Sequence, residues 1–359
     1  MKYKNRVLHI MGALNAGGQE TLIMNIYRKI NEKDFQFDFS VVSKDKGIYE
    51  KEIENRGGNI YHIISSGEDR IKYFKQMYNL FKKYDIIHIH TSSAKVIFLV
   101  WLAKLAKCKK IIVHSHNTSC DGVKIHKITR RLLKHTNIIR IACSEEAGRW
   151  MFGNKKFLIL HNGIEVLKYK FNESVRENKR NELNINKNEF VIGNIGRMEI
   201  QKNHERLIDI FYEISHKVNN AKLLIIGNGT LEDKIKEDIK IKKLEDKVIL
   251  LKNRNDIHEL LQAMDVFVMT SKYEGLAVSM IEAQASGLHI IASDRISKQV
   301  DITQLVQFLS LDSNNGTWTD SICRYDNKKV NREKYNQVVF NSDYNIKNTV
   351  NEILKVYET

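Results

Sequence analysis

Val266-Phe267-Val268-Met269-Thr270-Ser271-Lys272-Tyr273-Glu274-Gly275-Leu276-Ala277-Val278-Ser279-Met280-Ile281-Glu282-Ala283-Gln284-Ala285-Ser286-Gly287-Leu288-His289-Ile290-Ile291-Ala292 reads as strand, loop, helix and strand. Short apolar runs, Val266 to Met269 and His289 to Ala292, bracket a loop and a helical stretch that ends at Gly287. Glu274 falls in the loop and Glu282 about one turn into the helix. In open α/β sheets ligands bind beyond the carboxyl ends of such strands. Two carboxylates so placed can accept hydrogen bonds from different hydroxyls of one elongated, polyhydroxylated ligand. The plainer reading of either glutamate is a solvated helix face.

The same alternation extends in both directions. In the first half, strands are expected at Arg6 to Met11, Phe37 to Val42, Ile60 to His62, Ile86 to His90, Lys110 to His114, Ile138 to Cys143 and Phe157 to His161. Helical stretches separate them, among them Glu20 to Ile30, Asp69 to Tyr84 and the basic Lys124 to His135. In the second half, strands are expected at Phe190 to Gly196, Ala221 to Ile226, Val248 to Leu251, Val266 to Met269 and Ile290 to Ala292. Strands joined by helices indicate parallel sheets with crossover connections. The expected fold class is α/β, two Rossmann-like parallel-sheet domains facing across a cleft. Residues 1–165 form the first domain and 166–342 the second, with a C-terminal helix, 343–357, packing back on the first. The polar passage Val166 to Asn188 reads as the connection between them, with a short helix inside. A length of 359 residues suits two domains.

Lys and Arg number 58 against 43 Asp and Glu, a net charge of +15. That balance favours anionic partners: phosphorylated substrates, anionic lipid or nucleic acid. No RNP, KH or zinc-finger pattern supports nucleic acid. The four cysteines form no C-x-x-C, so a reducing compartment is expected and no zinc site. Met1-Lys2-Tyr3-Lys4-Asn5-Arg6 runs straight into a strand, which argues against a signal peptide. Val96 to Ala103 is the longest apolar run, too short to span a bilayer, and reads as a core helix, with a helix lying near a membrane as the alternative. The chain contains no proline, where usage of about 5% would be ordinary.

Further motifs fall in a fixed order: Gly17-Gly18-Gln19-Glu20 after the first strand, Val113-His114-Ser115-His116-Asn117-Thr118, and His161-Asn162-Gly163-Ile164. Gly196-Arg197 with Gln201-Lys202-Asn203, Gly227-Asn228-Gly229 and the Glu274 to Gly287 segment complete the series. Gly17 and Gly18 allow close backbone approach to a ligand, though this is not the G-x-G-x-x-G dinucleotide fingerprint. Arg197 and Lys202 follow the strand Phe190 to Gly196 as two cations that can neutralise a phosphorylated ligand as its charge develops; the plainer reading is an ordinary surface pair of basic residues. The chain contains no D-x-D triplet, so a carboxylate metal clamp has no obvious source. His88, His90 and His114 sit on alternate strand positions and read as satisfied core or rim residues.

Together these motifs resemble the family-4 glycosyltransferases of GT-B architecture, in their bacterial polysaccharide-building branch, over nearly the full length. The resemblance implies that Glu282 accepts hydrogen bonds from the nucleotide ribose and that Glu274 holds the transferred sugar. It implies that Gly275, Leu276, Ala277 and Val278 bring backbone N–H groups to the diphosphate. It places Gly17 and Gly18 opposite that diphosphate, Arg254 in the region that cradles the base, and His116 on the donor sugar near the reacting carbon. The family segment commonly reads E-G-L-P and ends G-x-P. Ala277 and His289 stand at those prolines, and Ile200, Thr270 and His258 at other frequent proline positions. The loss at Ala277 is expected to loosen the loop that aims Glu274.

The resulting expectation is a retaining, metal-independent hexosyltransferase with no cofactor. It would take a sugar from a nucleoside-diphosphate donor, UDP-linked, to a glycan or lipid-linked acceptor. The expected location is cytoplasmic, with peripheral contact to an anionic membrane surface through the basic helix, and no nucleic-acid partner. A GT-B nucleotide-sugar epimerase and a non-catalytic nucleotide-sugar or lipid-binding protein are the alternatives.

Overall fold

The computed structural model describes every residue except 1–4, 16, 31–33, 44, 253, 327–330 and 359. Met1 to Lys4, read above as leading into the first strand, thus lie outside the described residues, as do Ala16 beside the Gly17 motif and Asn253 beside Arg254. The chain divides into two units, one of Met1–Gly163 with Ile346–Thr359, the other of Ile164–Asn345.

The first unit alternates strands and helices: β1 (Asn5–Met11), α1 (Gly18–Lys29), β2 (Phe35–Val41), α2 (Glu50–Asn55), β3 (Ile60–His62), α3 (Arg70–Phe81) and β4 (Ile86–Thr91). It continues with α4 (Ile97–Leu105), β5 (Lys110–Ser115), α5 (Val123–Lys134), β6 (Ile139–Ala142), α6 (Glu145–Phe152) and β7 (Leu158–Ile159). The strands form one sheet of order β3-β2-β1-β4-β5-β6-β7, every pairing parallel. Successive residues point to opposite faces of a strand. Val7 accordingly joins Phe37 and Phe39 in one apolar cluster, while Leu8 joins Ile87 and Ile89 in the other. Both faces are covered, which is why these strands read as nearly unbroken apolar runs. The C-terminal helix Ile346–Glu358 sends Val350, Ile353 and Tyr357 into the Val7 cluster.

The second unit repeats the pattern: α7 (Glu173–Glu182), β8 (Phe190–Ile195), α8 (His204–Lys217), β9 (Ala221–Ile226), α9 (Glu232–Ile241), β10 (Val248–Leu251) and α10 (Ile257–Ala263). Then come β11 (Val266–Met269), α11 (Val278–Ala285), β12 (His289–Ser293), β13 (Val306–Leu309), α12 (Asn315–Cys323) and α13 (Glu333–Phe340). Its sheet is again parallel, of order β10-β9-β8-β11-β12-β13. In both units the strand order reverses beside the first strand, between β1 and β4 and between β8 and β11. Those reversals are where open sheets leave a crevice for a ligand.

The passage Val166 to Asn188 is not a loose connection. It holds a 3-10 helix, Val166–Tyr169, and then α7, which is anchored to the end of α10. Arg176 and Arg180 of α7 pair with the two oxygens of Asp265 at 2.5 and 2.7 Å. They also donate to the carbonyls of Gln262, Ala263 and Met264, and buried Arg332 donates to Leu261, Gln262, Met264 and Ser286. The last carbonyls of a helix have no partner within it, and its C-terminus carries partial negative charge. Three guanidinium groups meet both needs for α10. Burial pulls Arg332 down to about 9.

Candidate active site

The chain leaves β8 through Gly196 and Arg197 and enters a 3-10 turn, Ile200–Lys202, before α8. It leaves β11 through Thr270 to Tyr273 and reaches Glu274 ahead of α11. These two exits flank the reversal of strand order, and they are stitched together. Thr270 Oγ1 donates to the carbonyls of Lys202 and Asn203 at 3.2 and 3.0 Å, and the Lys272 N–H donates to Gln201 O at 2.8 Å. Proline, frequent at position 270 in the resembling family, could not make the Thr270 bonds. Asn203 turns the chain with φ 56°, a conformation asparagine tolerates better than most residues.

That stitching brings Lys202 Nζ to 2.7 Å from Glu274 Oε1, with the side chains 17% and 6% exposed. Gln201 Nε2 donates to Glu274 Oε2 at 3.2 Å and to Tyr273 O at 2.9 Å. Both oxygens of Glu274 are therefore held, so the loop is positioned without a proline. An ammonium has three donors and a carboxylate oxygen two lone pairs, so each partner keeps capacity for a ligand. Arg197 is exposed beside this pair, and among the described residues its guanidinium makes no ion pair.

The glycines keep this corner tight. Gly227 has φ 153°, and a Cβ there would stand 2.0 Å from the Gly196 carbonyl oxygen. A Cβ on Gly229 would meet Met198 O at 2.4 Å. The Gly227-Asn228-Gly229 loop thus lies against the backbone on both sides of Arg197.

Glu282 projects from α11 and accepts a 2.7 Å hydrogen bond from Tyr169 Oη. Burial pushes its carboxyl up to about 7, and the tyrosine hydroxyl pulls the other way. Tyr169 was not legible as a site residue, because it lies near the start of the polar passage read as a connection, at the end of its 3-10 helix. If the carboxylate is the form that binds a ribose diol, nucleotide affinity rises with pH through about 7. Tyr169→Phe removes the bond favouring the ionised form, so the midpoint should move upward; calorimetric nucleotide titrations across pH 6 to 9 check it.

Leu276 and Val278 are partly buried against the core, Gly275 and Ala277 are buried, and α11 has no side-chain cap at its start. Ala277 has φ −83°, close to what proline requires, and its N–H has no partner among the described residues. Ala277→Pro should therefore raise stability by about 0.4–1 kcal/mol, through the unfolded chain; denaturant titration measures it. Arg254 is not brought to this group. Its guanidinium binds Asp256 and Glu182, and Lys179 binds the same two carboxylates and Glu259.

In the first unit, Gly17 precedes α1 with an extended backbone, φ −146°, so it supplies no left-handed turn. A Cβ there would meet Glu20 Oε2 at 2.3 Å, and Gly18 begins α1. His116 follows β5 and joins a chain of rings. Its Nε2 lies 2.9 Å from His90 Nδ1, and His90 Nε2 lies 2.9 Å from His9 Nδ1. His88 Nδ1 reaches Tyr357 Oη at 2.7 Å. The expectation of satisfied core histidines holds for the burial of His88, His90 and His114 and for both ring nitrogens of His90, but not for Nε2 of His88 or the nitrogens of His114. Both ring nitrogens of His114, Nε2 of His9 and of His88, and Nδ1 of His116 have no partner among the described residues. Two triplets, His9/His88/His90 and His90/His114/His116, bring ring nitrogens within 4.8 Å of one another, close enough to share one metal ion.

Burial lowers His9 and His116 to about 3 and carries His88, His90 and His114 well below the usual range. A histidine whose folded pKa is depressed stabilises fully above its unfolded value near 6.5 and loses that contribution as pH falls toward the folded value. At pH 4 the loss is up to about 3 kcal/mol for each of His9 and His116. Acid unfolding of this unit should therefore begin below about pH 6, and His9→Gln should flatten that limb; circular dichroism against pH reads both.

Residues 16–166 match the family model described as Glycosyltransferase Family 4, and residues 175–307 match Glycosyl transferases group 1. Over 99% of its length the chain is 32% identical to the putative glycosyltransferase EpsF of Bacillus subtilis (strain 168), covering 96% of that protein. The chain belongs to glycosyltransferase family 4. This family-4 glycosyltransferase is also similar to the UDP-Gal:alpha-D-GlcNAc-diphosphoundecaprenol alpha-1,3-galactosyltransferase of Escherichia coli, 27% identical over 81% of this chain and 80% of that one. Among solved structures, Anabaena Alr3699/HepE in complex with UDP-glucose matches with a TM-score of 0.83 at 16% identity, covering 99% of both chains. The two parallel-sheet units are those of the GT-B fold. No helix among the described residues is long and apolar enough to cross a membrane.

Proposed function

We propose that this glycosyltransferase takes a hexose from a UDP-sugar and passes it, with retention at the anomeric carbon, to a lipid-linked or glycan acceptor in surface-polysaccharide synthesis. The observation that carries this reading is the Lys202–Glu274 pair beside exposed Arg197 at the reversal of strand order in the second unit. The UDP-glucose complex of a structure with this fold and the diphosphoundecaprenol acceptor named for a relative support the substrate classes.

In this reading Glu282 binds the ribose, and the uncapped start of α11 at Leu276 to Val278 meets the diphosphate. Arg197 and Lys202 stabilise the charge that develops on the departing diphosphate, a fixed electrostatic contribution made in the transition state. Glu274 orients the sugar through its hydroxyls, and His116 is assigned to the same sugar. These are positioning effects rather than proton transfers. Glu274 is already paired with a cation and is poorly placed to act as a free base, so the departing diphosphate is the natural acceptor of the incoming hydroxyl's proton. Two cations at the leaving group and a chain without D-x-D favour catalysis without a metal ion. Work on the inner face of the membrane follows from the acceptor class, with the basic α5 held near anionic headgroups.

A panel of nucleotide sugars assayed for released nucleotide, with and without lipid-linked acceptor, tests the reading. Acceptor-dependent release and a product of unchanged anomeric configuration by NMR are expected. Conversion of donor without acceptor would indicate an epimerase, and binding without turnover a non-catalytic protein.

A further inference from the structure

The apolar run Val96 to Ala103 does not simply fill the core. α4 buries Ile97, Val100 and Ala103 but turns Phe98, Trp101 and Leu105 outward. Those three fall at i, i+3 and i+7, one stripe of a helix. α5 packs beside α4 and repeats the device, burying His126, Thr129 and Leu133 while presenting Ile125, Ile128 and Leu132, again i, i+3 and i+7. All six outward side chains are between 44% and 68% exposed. Two adjoining helices each spending an apolar stripe on solvent is not the scatter of single surface apolars found on any protein.

The charge around the stripes says what covers them. Between Ile86 and Ser144 the chain carries eleven Lys and Arg and a single acid, Asp121. Lys95, Lys104, Lys107, Lys124, Lys127 and Arg131 are exposed on or beside the two helices. A second copy of the chain would bring the same cations into contact with these. A bilayer carrying anionic lipid offers both complements, headgroup charge for the cations and acyl chains for the stripes.

We propose that α4 and α5 form a two-helix surface that inserts Phe98, Trp101, Leu105, Ile125, Ile128 and Leu132 into the headgroup–acyl boundary of an anionic membrane. This goes beyond the electrostatic contact above, on which it rests only for its purpose, the delivery of the enzyme to a lipid-linked acceptor. The attraction of the basic residues to such a surface is lost as salt rises. Apolar insertion survives salt, so the two contributions separate by experiment.

The test uses the full chain with vesicles of phosphatidylglycerol and phosphatidylcholine, of phosphatidylcholine alone, and of either composition with brominated acyl chains. Trp150 is half-buried and Trp318 buried, so Trp101 reports the surface. Expected are binding to the anionic vesicles, a residue of binding in high salt, and quenching of Trp101 by bromine that Trp101→Phe removes. Phe98→Ser with Ile128→Ser should weaken binding tenfold or more while leaving the circular dichroism and nucleotide binding unchanged. Binding fully reversed by salt with no quenching would overturn insertion. So would self-association abolished by the same two substitutions, or no vesicle binding at all. Nucleotide titration of the same samples keeps the outcomes apart: lost vesicle binding with nucleotide bound sinks this surface only, and lost nucleotide binding sinks the enzymatic reading only.

Discussion

Lys202→Ala should lower turnover by about 10²–10³-fold, the usual cost of removing one fixed group that stabilises charge in a transition state. The substitution also leaves Glu274, whose side chain is 6% exposed, with Gln201 as its remaining partner. A nearly buried carboxylate deprived of its cation is costly, so stability should fall too. Glu274→Gln alone keeps the shape and removes the charge, leaving Lys202 free to meet the diphosphate. It should reduce turnover less if Glu274 mainly orients Lys202, and as much if it grips the sugar. The double variant Lys202→Ala/Glu274→Gln separates the two effects, because groups in contact do not contribute additively. Stability should recover in the double variant while turnover does not. Steady-state kinetics and thermal unfolding on the four proteins provide the comparison.

Asp265→Ala should destabilise the second unit by about 3 kcal/mol or more, the magnitude seen when one partner of a buried ion pair is removed. Asp265 is the acid shared by Arg176 and Arg180, and it also accepts from the Val191 N–H at 2.7 Å. Arg332 lies close enough to be raised by Asp265 and lowered by both arginines. Without the carboxylate, three cations face one another around the end of α10. A loss of that size lowers the transition of a domain this large by about 6–12 °C. The active-site pair is on the other exit of β11, so nucleotide affinity measured below the transition should persist. Differential scanning calorimetry with a nucleotide titration resolves the two readouts.

Much of this architecture could be read from the chain. Val248 to Leu251 and Val266 to Met269 are continuous apolar runs because helices cover both faces of a parallel sheet, and their bounds match the structure. The Glu274 to Gly287 segment likewise declared a loop and a helix. Three features stayed hidden for physical reasons. The short helix expected within Val166 to Asn188 is α7, but its anchoring did not show, because it is held by arginines on carbonyls and on Asp265 rather than by an apolar face. The outward stripes of α4 were masked because Val96 to Ala103 is apolar all round, and periodicity cannot show which side meets water. The Lys202–Glu274 contact joins residues far apart in sequence through Thr270 and Lys272, and only strand order reveals it. The missing prolines illustrate the same point, since Gln201 and Lys202 hold Glu274 by contacts that composition does not show.

The most direct test of the donor site is acceptor-dependent UDP release from a UDP-sugar, measured for the unaltered protein and for Lys202→Ala and Glu274→Gln. Steady release that requires acceptor and falls about 10²–10³-fold on loss of Lys202 is the predicted result. Release that is unchanged in both variants would contradict the placing of the chemistry at this pair.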